Sequence, residues 1–316
     1  MSRVLVTGGA GFIGSHITDR LIKDGHSVIV LDNLSTGKKE QINKKAKFIK
    51  ADIKNLEQIK PYFKGIDYVF HLAARARIQP SIKDPVPTFY DNVIGTLNVL
   101  LTSRDAKVKR VVYSASSSSY GDQKTLPLHE EMTPGFKSPY SLSKYVGEAM
   151  CKLFSDLYGI ETVSLRYFNV YGPRQLVDGA YATVVGIFLR QLENGGAMTI
   201  VSPGIIRRDF THVSDVVEAN ILAMKSKKVG KGELINIGRG ENYSINEVAS
   251  LILKHKRPEA RLAGANFLVR PHAVYIEKRP GETKVTLADN KKAQKLLGWK
   301  PKVSFENGIK QLSAQA

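Results

Sequence analysis

A chain of 316 residues, 42% hydrophobic and 24% charged, has room for one large two-lobed unit or two modest domains of ordinary globular composition. No apolar run approaches the roughly eighteen residues that span a bilayer, and a lone cysteine, Cys151, excludes a disulfide framework within the chain and points to a reducing, cytoplasmic setting without a membrane partner. The formal charge of +18 raises nucleic acid as a partner, but Lys38, Lys39, Lys44, Lys45, Lys227, Lys228, Lys231, Lys291 and Lys292 are scattered without interleaved aromatics or a groove-reading helix, so the surface reads as solvated and suited to an anionic substrate.

Arg3 to Thr7 reads as an apolar strand, followed by G-G-A-G-F-I-G-S-H and an amphipathic helix through Leu21 and Ile22 to Gly25. Gly8, Gly11 and Gly14 stand three apart between that strand and helix. Glycines there let the backbone turn tightly and approach a pyrophosphate, which the positive helix end then faces. A second strand, Ser27 to Leu31, ends at Asp32, eighteen residues past the last glycine. A carboxylate at that place accepts both ribose hydroxyls of an adenosine and repels a 2′-phosphate, which favours NAD over NADP; the alternative is a turn-forming Asp-Asn pair. Strand patterns recur at Ala46 to Ile49, Tyr68 to Leu72, Arg110 to Ser114 and Thr162 to Leu165, separated by helical patterns such as Val86 to Leu101. The alternation predicts an α/β fold, a doubly wound parallel sheet with its site at the carboxyl ends of the strands, where Asp52, His71 to Ala74 and Ser114 to Ser118 fall. His71 reads as a structural hydrogen-bonding residue.

From Pro139 the apolar residues Leu142, Val146, Ala149, Met150, Leu153 and Leu157 recur at helical spacing, so Tyr140 and Lys144, four apart, share a helix face. At about 4 Å and an effective dielectric of about 20, a lysine ammonium attracts a phenolate by about 4 kcal/mol. That would lower the usual tyrosine pKa of about 10 by roughly three units. Tyrosine, lysine and an upstream serine hydroxyl suit a proton moving on and off a sugar hydroxyl while a hydride leaves the same carbon, which requires a nicotinamide. The spacing alone reads equally as a surface pair, and it occurs again at Tyr120 and Lys124, where Gly121 and Asp122 signal a turn. Cys151, on the same helix, reads as a small packed residue.

After Arg166 the alternation breaks: Y-F-N-V-Y-G-P-R-Q reads as a loop, then come helices from Tyr181 to Leu192 and from Asp215 to Met224, and one more strand, Leu234 to Ile237. The expected division is a dinucleotide-binding part, 1–168 with 213–238 returning to it, and a smaller C-terminal α/β lobe, 169–212 with 239–316.

Together T-G-G-A-G-F-I-G, D-N-L-S-T-G, H-L-A-A, N-V-I-G-T, S-S-S-S-Y-G-D, Y-S-L-S-K, R-Y-F-N-V-Y-G-P-R, R-R-D-F-T-H-V-S-D, N-I-G, R-P-G-E and L-G-W-K-P span nearly the whole chain. They resemble the extended short-chain dehydrogenase/reductases that act on nucleotide sugars, and most closely the UDP-sugar 4-epimerases. The resemblance implies a Rossmann fold, bound NAD, a UDP-sugar substrate and a homodimer formed through two helices per subunit, around Val86 to Leu101 and Tyr140 to Tyr158. Tyr140, Lys144 and Ser116 would be catalytic, with Lys144 lowering the tyrosine pKa. NAD would be held by Gly8, Gly11, Phe12, Ile13, Gly14, Asp32, Asn33, Ser35, Thr36, Gly37, Asp52, Ile53, Leu72, Ala73, Ala74, Asn92, Ser114 and Tyr167 besides Tyr140 and Lys144. The substrate would meet Ser116, Ser117, Ser118, Asn169, Val184, Val185, Arg208, Arg279, Glu282 and Thr286.

Relatives that dehydrate or decarboxylate the sugar resemble one another in acidic residues at the places of Ser117 and Ser118. Serines there imply chemistry that stops at a 4-keto sugar and reverses. Thr286, where plain-hexose epimerases carry tyrosine, implies room for a 2-acetamido group and so UDP-GlcNAc and UDP-GalNAc as substrates, with UDP-Glc and UDP-Gal beside them. Arg75 and Arg77 leave a uronate open. Val201-Ser202-Pro203-Gly204 replaces the family's aromatic-Gly-Asp-Gly and removes the aromatic expected against uracil.

Overall fold

The computed structural model describes residues 1–177, 182–256 and 272–315. Its strands in chain order are β1 Arg3–Thr7, β2 Ser27–Asp32, β3 Lys47–Lys50, β4 Tyr68–His71, β5 Arg110–Ser116 and β6 Glu161–Tyr167. Then follow β7 Val170–Tyr171, β8 Met198–Val201, β9 Arg207–Asp209, β10 Thr211–His212, β11 Lys231–Ile237, β12 Asn242–Ser244 and β13 Ala273–Ile276. Seven of them form one parallel sheet in the order β11-β6-β5-β4-β1-β2-β3. The order reverses between β1 and β4, which opens a crevice at their carboxyl ends.

The strands read as continuous apolar runs because both faces of the sheet are covered. Alternate residues serve two cores. Val4, Val6, Val112 and Val163 pack with Ile17 and Leu21 of the Phe12–Lys23 helix and with Val216 and Ala219 of the Val213–Lys225 helix. Leu5, Val69, Val111 and Tyr113 pack on the other face with Leu100, Cys151 and Phe154. The smaller lobe has a core of its own, Val185, Phe188, Phe210, Ile252, Phe305 and Ile309 among them, under the β8–β13 and β9–β12 pairs. One boundary differs from expectation. Ala293, Leu297 and Trp299 lie in the core of the large sheet, and Trp299 Nε1 donates to the Asp215 carbonyl at 2.8 Å, so 291–299 packs on the dinucleotide-binding part. Tyr181, the expected start of a helix, lies outside the described residues; the helix itself is Val184–Glu193.

Two helices flank the crevice. One runs from Pro85 to Asp105 with a π-helical stretch at Tyr90–Ile94. The other, Pro139–Tyr158, starts with a capping box between Ser138 and Ser141 and Pro139 in its first turn, and it stops where Gly159 takes φ 68°. Its buried face is Ser141, Lys144, Gly147, Glu148, Cys151 and Phe154. The apolar stripe read from the sequence is not that face: Leu153 is 50% and Leu157 64% exposed. The polar side turns inward because Tyr140, Lys144 and Glu148 are used there.

Candidate active site

The glycine turn is built for close approach. Gly8 has φ 72°, and a Cβ on it would lie 2.6 Å from the Ala73 nitrogen on the far side of the crevice. A Cβ on Gly14 would strike the Gly8 carbonyl. Gly11 caps the Phe12–Lys23 helix without a side-chain acceptor, so the first N–H groups of that helix stay available to an anion. Asp32 ends β2, where its carboxylate accepts the Ala10 N–H at 3.0 Å and the Leu34 N–H at 2.8 Å. Burial pushes its pKa up against those two bonds. Asn33 is fixed by Asp52 at 3.0 Å. These residues, with Phe12, Ile13, Ser35, Thr36, Gly37, Ile53, Leu72, Ala74, Ser114 and Tyr167, line one cavity of about 620 Å³. A Cβ-free turn, an open helix end and a carboxylate at the second strand are the donor set a dinucleotide needs, so the residues fit NAD.

At the cavity's centre the β5 end meets the Pro139–Tyr158 helix. Ser116, Ser117, Ser118, Tyr140 and Lys144 all line it. Tyr140 is hydrogen-bonded to Ser116, whose Oγ lies 2.9 Å from the Ser118 Oγ. Burial raises the Tyr140 pKa above the ordinary phenol value, while the Ser116 bond and the charge of Arg77 pull the other way. Lys144 is anchored on β5. Its ammonium donates to the Ser114 carbonyl at 2.7 Å and sits 5.0 Å over the Tyr113 ring, and burial pulls its pKa down to about 8, with Glu148 opposing. Arg77, on the loop after β4, lines the same cavity.

Beneath the site, Glu148 pairs with Arg166 through two bonds of 2.9 and 2.6 Å, and the guanidinium lies 4.4 Å over the Tyr120 ring, whose hydroxyl donates to Asn236. His71 bridges the Thr7 and Thr96 hydroxyls at 2.7 and 2.9 Å, and burial holds its pKa at about 3, so it stays neutral and structural. Cys151 is fully buried, as a packed residue is.

The other end of the cavity is lined by Asn169, Arg208, Arg279, Glu282 and Thr286. Arg208 is brought there by β9 and feels the charges of Glu282 and Asp122, although burial lowers its pKa. Lys137 bridges the Asp122 carboxylate at 2.5 Å and the Glu282 carbonyl at 2.9 Å. The Thr286 hydroxyl accepts from the Asp209 N–H at 3.0 Å and the Asn169 amide at 3.2 Å. Asp209 in turn gathers the N–H groups of Arg239, Gly240 and Ala288, so the R-R-D-F motif knots the lobe together as well as presenting an arginine.

Three expected contacts are absent from the cavity wall. Asn92 is buried in the π-helical stretch, accepting the Arg75 N–H at 2.7 Å and donating to Ser143; it braces the loop from behind. Val185 is fully buried in the small-lobe core, and Val184 packs against the same core. Both valines start a helix whose first turn faces inward rather than toward the substrate end. Arg75 is turned to Asp91 at 2.8 Å. Residues 201–204 lie off the cavity, and among the described lining residues the only aromatics, Phe12, Tyr140 and Tyr167, are at the glycine-turn end and centre. Sequence pattern missed Lys137, Ser141 and Thr183 in the wall; Lys137 and Thr183 carry no motif, and Ser141, though inside Y-S-L-S-K, was passed over for Tyr140 and Lys144.

A family model described as the NAD dependent epimerase/dehydratase family matches residues 4–238. The UDP-glucose 4-epimerase of Mycolicibacterium smegmatis is 36% identical over 319 residues, covering 97% of this chain and 96% of the relative. Among solved structures, a UDP-glucose 4-epimerase of Thermotoga maritima with UDP-glucose superposes with TM-score 0.91 at 39% identity, over 99% of this chain and 97% of that one. A UDP-N-acetylglucosamine 4-epimerase from Methanobrevibacter ruminantium M1, in complex with UDP-N-acetylmuramic acid, gives 0.89 at 34%, over 99% and 97%.

Proposed function

The chain belongs to the NAD-dependent epimerase/dehydratase family, and from that premise we propose that it is a UDP-sugar 4-epimerase whose main substrates are UDP-GlcNAc and UDP-GalNAc. The observation that carries the reading is the meeting of Tyr140, Ser116 and Lys144 between a dinucleotide cradle and an arginine-bearing end, in a single cavity. NAD, when bound, supplies the acceptor and donor of a hydride at C4 of the sugar.

Tyr140 exchanges the proton of the 4-hydroxyl, and Ser116, bonded to the same phenol, holds the oxygen between proton positions. Lys144, anchored on the Ser114 carbonyl, keeps a positive charge beside the nicotinamide ribose. Arg208 and Arg279 hold the diphosphate and Glu282 the uridine ribose. The carboxylates among the described lining residues are Asp32, Asp52, Asp91 and Glu282, none of them on the Ser116–Ser118 turn. Among the described residues, elimination beyond C4 therefore has no acid or base on the serine turn, which supports return of the 4-keto sugar over dehydration. A threonine at 286 in place of a larger side chain, and similarity to an N-acetylglucosamine epimerase, support the acetamido sugar. A uronate gains little support, because Arg75 is committed to Asp91.

The test is turnover by the purified protein, without added NAD, across UDP-hexoses, UDP-N-acetylhexosamines and UDP-uronates with the products resolved. UDP-GlcNAc and UDP-GalNAc should interconvert fastest. A 4-keto-6-deoxy product would overturn the reading of the serine turn, and full activity of Tyr140→Phe would remove the proposed base. For assembly, we propose a homodimer through the exposed stripe Val86, Tyr90, Ile94, Leu153 and Leu157.

A further inference from the structure

The loop that carries Arg279 and Glu282 is held by its backbone. The Pro280 carbonyl accepts from the Gln79 amide at 2.7 Å, the Glu282 carbonyl from the Lys137 ammonium at 2.9 Å, and the Lys284 carbonyl from the Arg207 N–H of β9 at 3.1 Å. The Lys284 N–H donates to Oδ1 of Asp122 at 2.7 Å, and the other oxygen of that carboxylate, Oδ2, takes the Lys137 ammonium at 2.5 Å. Of these contacts, one ends on Asp122 and another on the lysine that Asp122 fixes. Backbone anchoring leaves the side chains of Arg279 and Glu282 to the cavity that they line.

Resting on the reading of Arg279 and Glu282 as the holders of the nucleotide, we propose that Asp122 is a positioning residue that ties the diphosphate and ribose end of the cavity to the serine turn and to the start of the catalytic helix. Lys137 lines the cavity and Asp122 does not, so the carboxylate acts through its neighbours. It stands four residues past Ser118, and a Cβ on the preceding Gly121 would strike the Gly135 carbonyl, so this turn packs directly on the chain leading into the Pro139–Tyr158 helix. Lys137 is two residues before Pro139, and its own N–H donates to the Ser141 Oγ at 3.3 Å. Although burial pushes the Asp122 pKa up, the bonds from Lys137 and the Lys284 N–H bring it below the ordinary carboxylate value, so the charge is present at working pH.

The reacting end has supports of its own. The Gly135 N–H donates to the Ser119 carbonyl at 3.0 Å, and the Gln123 amide bridges the Tyr120 and Thr133 carbonyls at 2.6 and 3.0 Å. The helix keeps its capping box between Ser138 and Ser141. Loss of the Asp122 carboxylate therefore loosens the nucleotide end and leaves Ser116 and Tyr140 in place.

The experiment is calorimetric titration of UDP into the NAD-loaded protein. Asp122→Ala should weaken UDP binding about tenfold, the effect of losing hydrogen bonds to a charged group. KM for the UDP-sugar turned over fastest should rise in step, with kcat little changed. Lys137→Met, which removes the bridging ammonium, should weaken UDP binding as well. Asp122→Asn keeps an acceptor for the Lys284 N–H and gives up the charge, so it should fall between the native chain and Asp122→Ala; it serves if the alanine variant folds poorly. Both Asp122 variants binding UDP as the native chain does, with only a lower melting temperature, would show a merely structural pair and overturn the proposal. A fall in kcat at unchanged KM would overturn it too. A native chain that binds no UDP removes the reading of Arg279 and Glu282 and the proposal with it, whereas native binding matched by the variants removes the proposal alone.

Discussion

Buried charge is the currency of stability at single residues of this site. Lys144 has its pKa brought down to about 8 by burial, against an ordinary 10.5. At pH 7 it is protonated in both states, and holding that charge inside costs about 3 kcal/mol. The unfolded chain keeps its proton to higher pH, so stability rises as pH climbs from about 8 to the ordinary lysine value. Lys144→Met should therefore melt higher at pH 7, by about 2 kcal/mol after losing the bond to Ser114, and the gain should shrink above pH 8; thermal melts across pH check this, while turnover is lost. Arg77 carries backbone strain at the same site. A non-glycine residue at φ 148° stores about 1–3 kcal/mol, so Arg77→Gly should raise the melting temperature. An unchanged or lower melting point would show that the side chain's contacts outweigh the strain.

Among the elements, the Pro139–Tyr158 helix bears most of the design. Its inner face is held by the Glu148–Arg166 pair, with side chains 5% and 1% exposed. Such a pair contributes little net stability when whole, but removing one partner strands the other charge. Glu148→Gln should cost about 3–5 kcal/mol in urea unfolding with an unchanged slope, and by taking away the charge that supports Lys144 it should lower the lysine pKa further. Close approach to β5 is made by Gly147, where a Cβ would lie 2.5 Å from the Tyr113 ring carbon that bears the hydroxyl. Tyr113 is 1% exposed and has nowhere to retreat, so Gly147→Ala should cost about 2 kcal/mol by overpacking. Helical periodicity showed that this helix exists. It did not show which side faces inward, because the apolar stripe is the outer one and the buried side is the polar, reactive one.

For the whole molecule, that outer stripe is the argument for assembly. Val86 is 59%, Tyr90 57% and Leu157 64% exposed on two helices that flank the same side of the sheet. An apolar surface of this kind marks an interface when it is contiguous. Light scattering after size exclusion should find a dimer for the native chain and a folded monomer for Leu153→Asp/Leu157→Asp; a native monomer would sink the proposal.

The sequence by itself determined the doubly wound sheet, the glycine cradle, Asp32 at the second strand and the shared helix face of Tyr140 and Lys144, because each rests on local chain geometry: strand and helix periods, turns only glycine allows, residues one helical turn apart. Sequence did not show that Asn92, Val184 and Val185 back the cavity, since facing it or backing it is settled by how helices dock. Tertiary structure alone decided that 291–299 joins the larger core, that Lys144 turns to the Ser114 carbonyl, and that Arg77 comes into the cavity that Tyr140 lines. Those depend on side chains distant in sequence competing for the same buried partners, and a burial penalty exists only once the chain has closed around them.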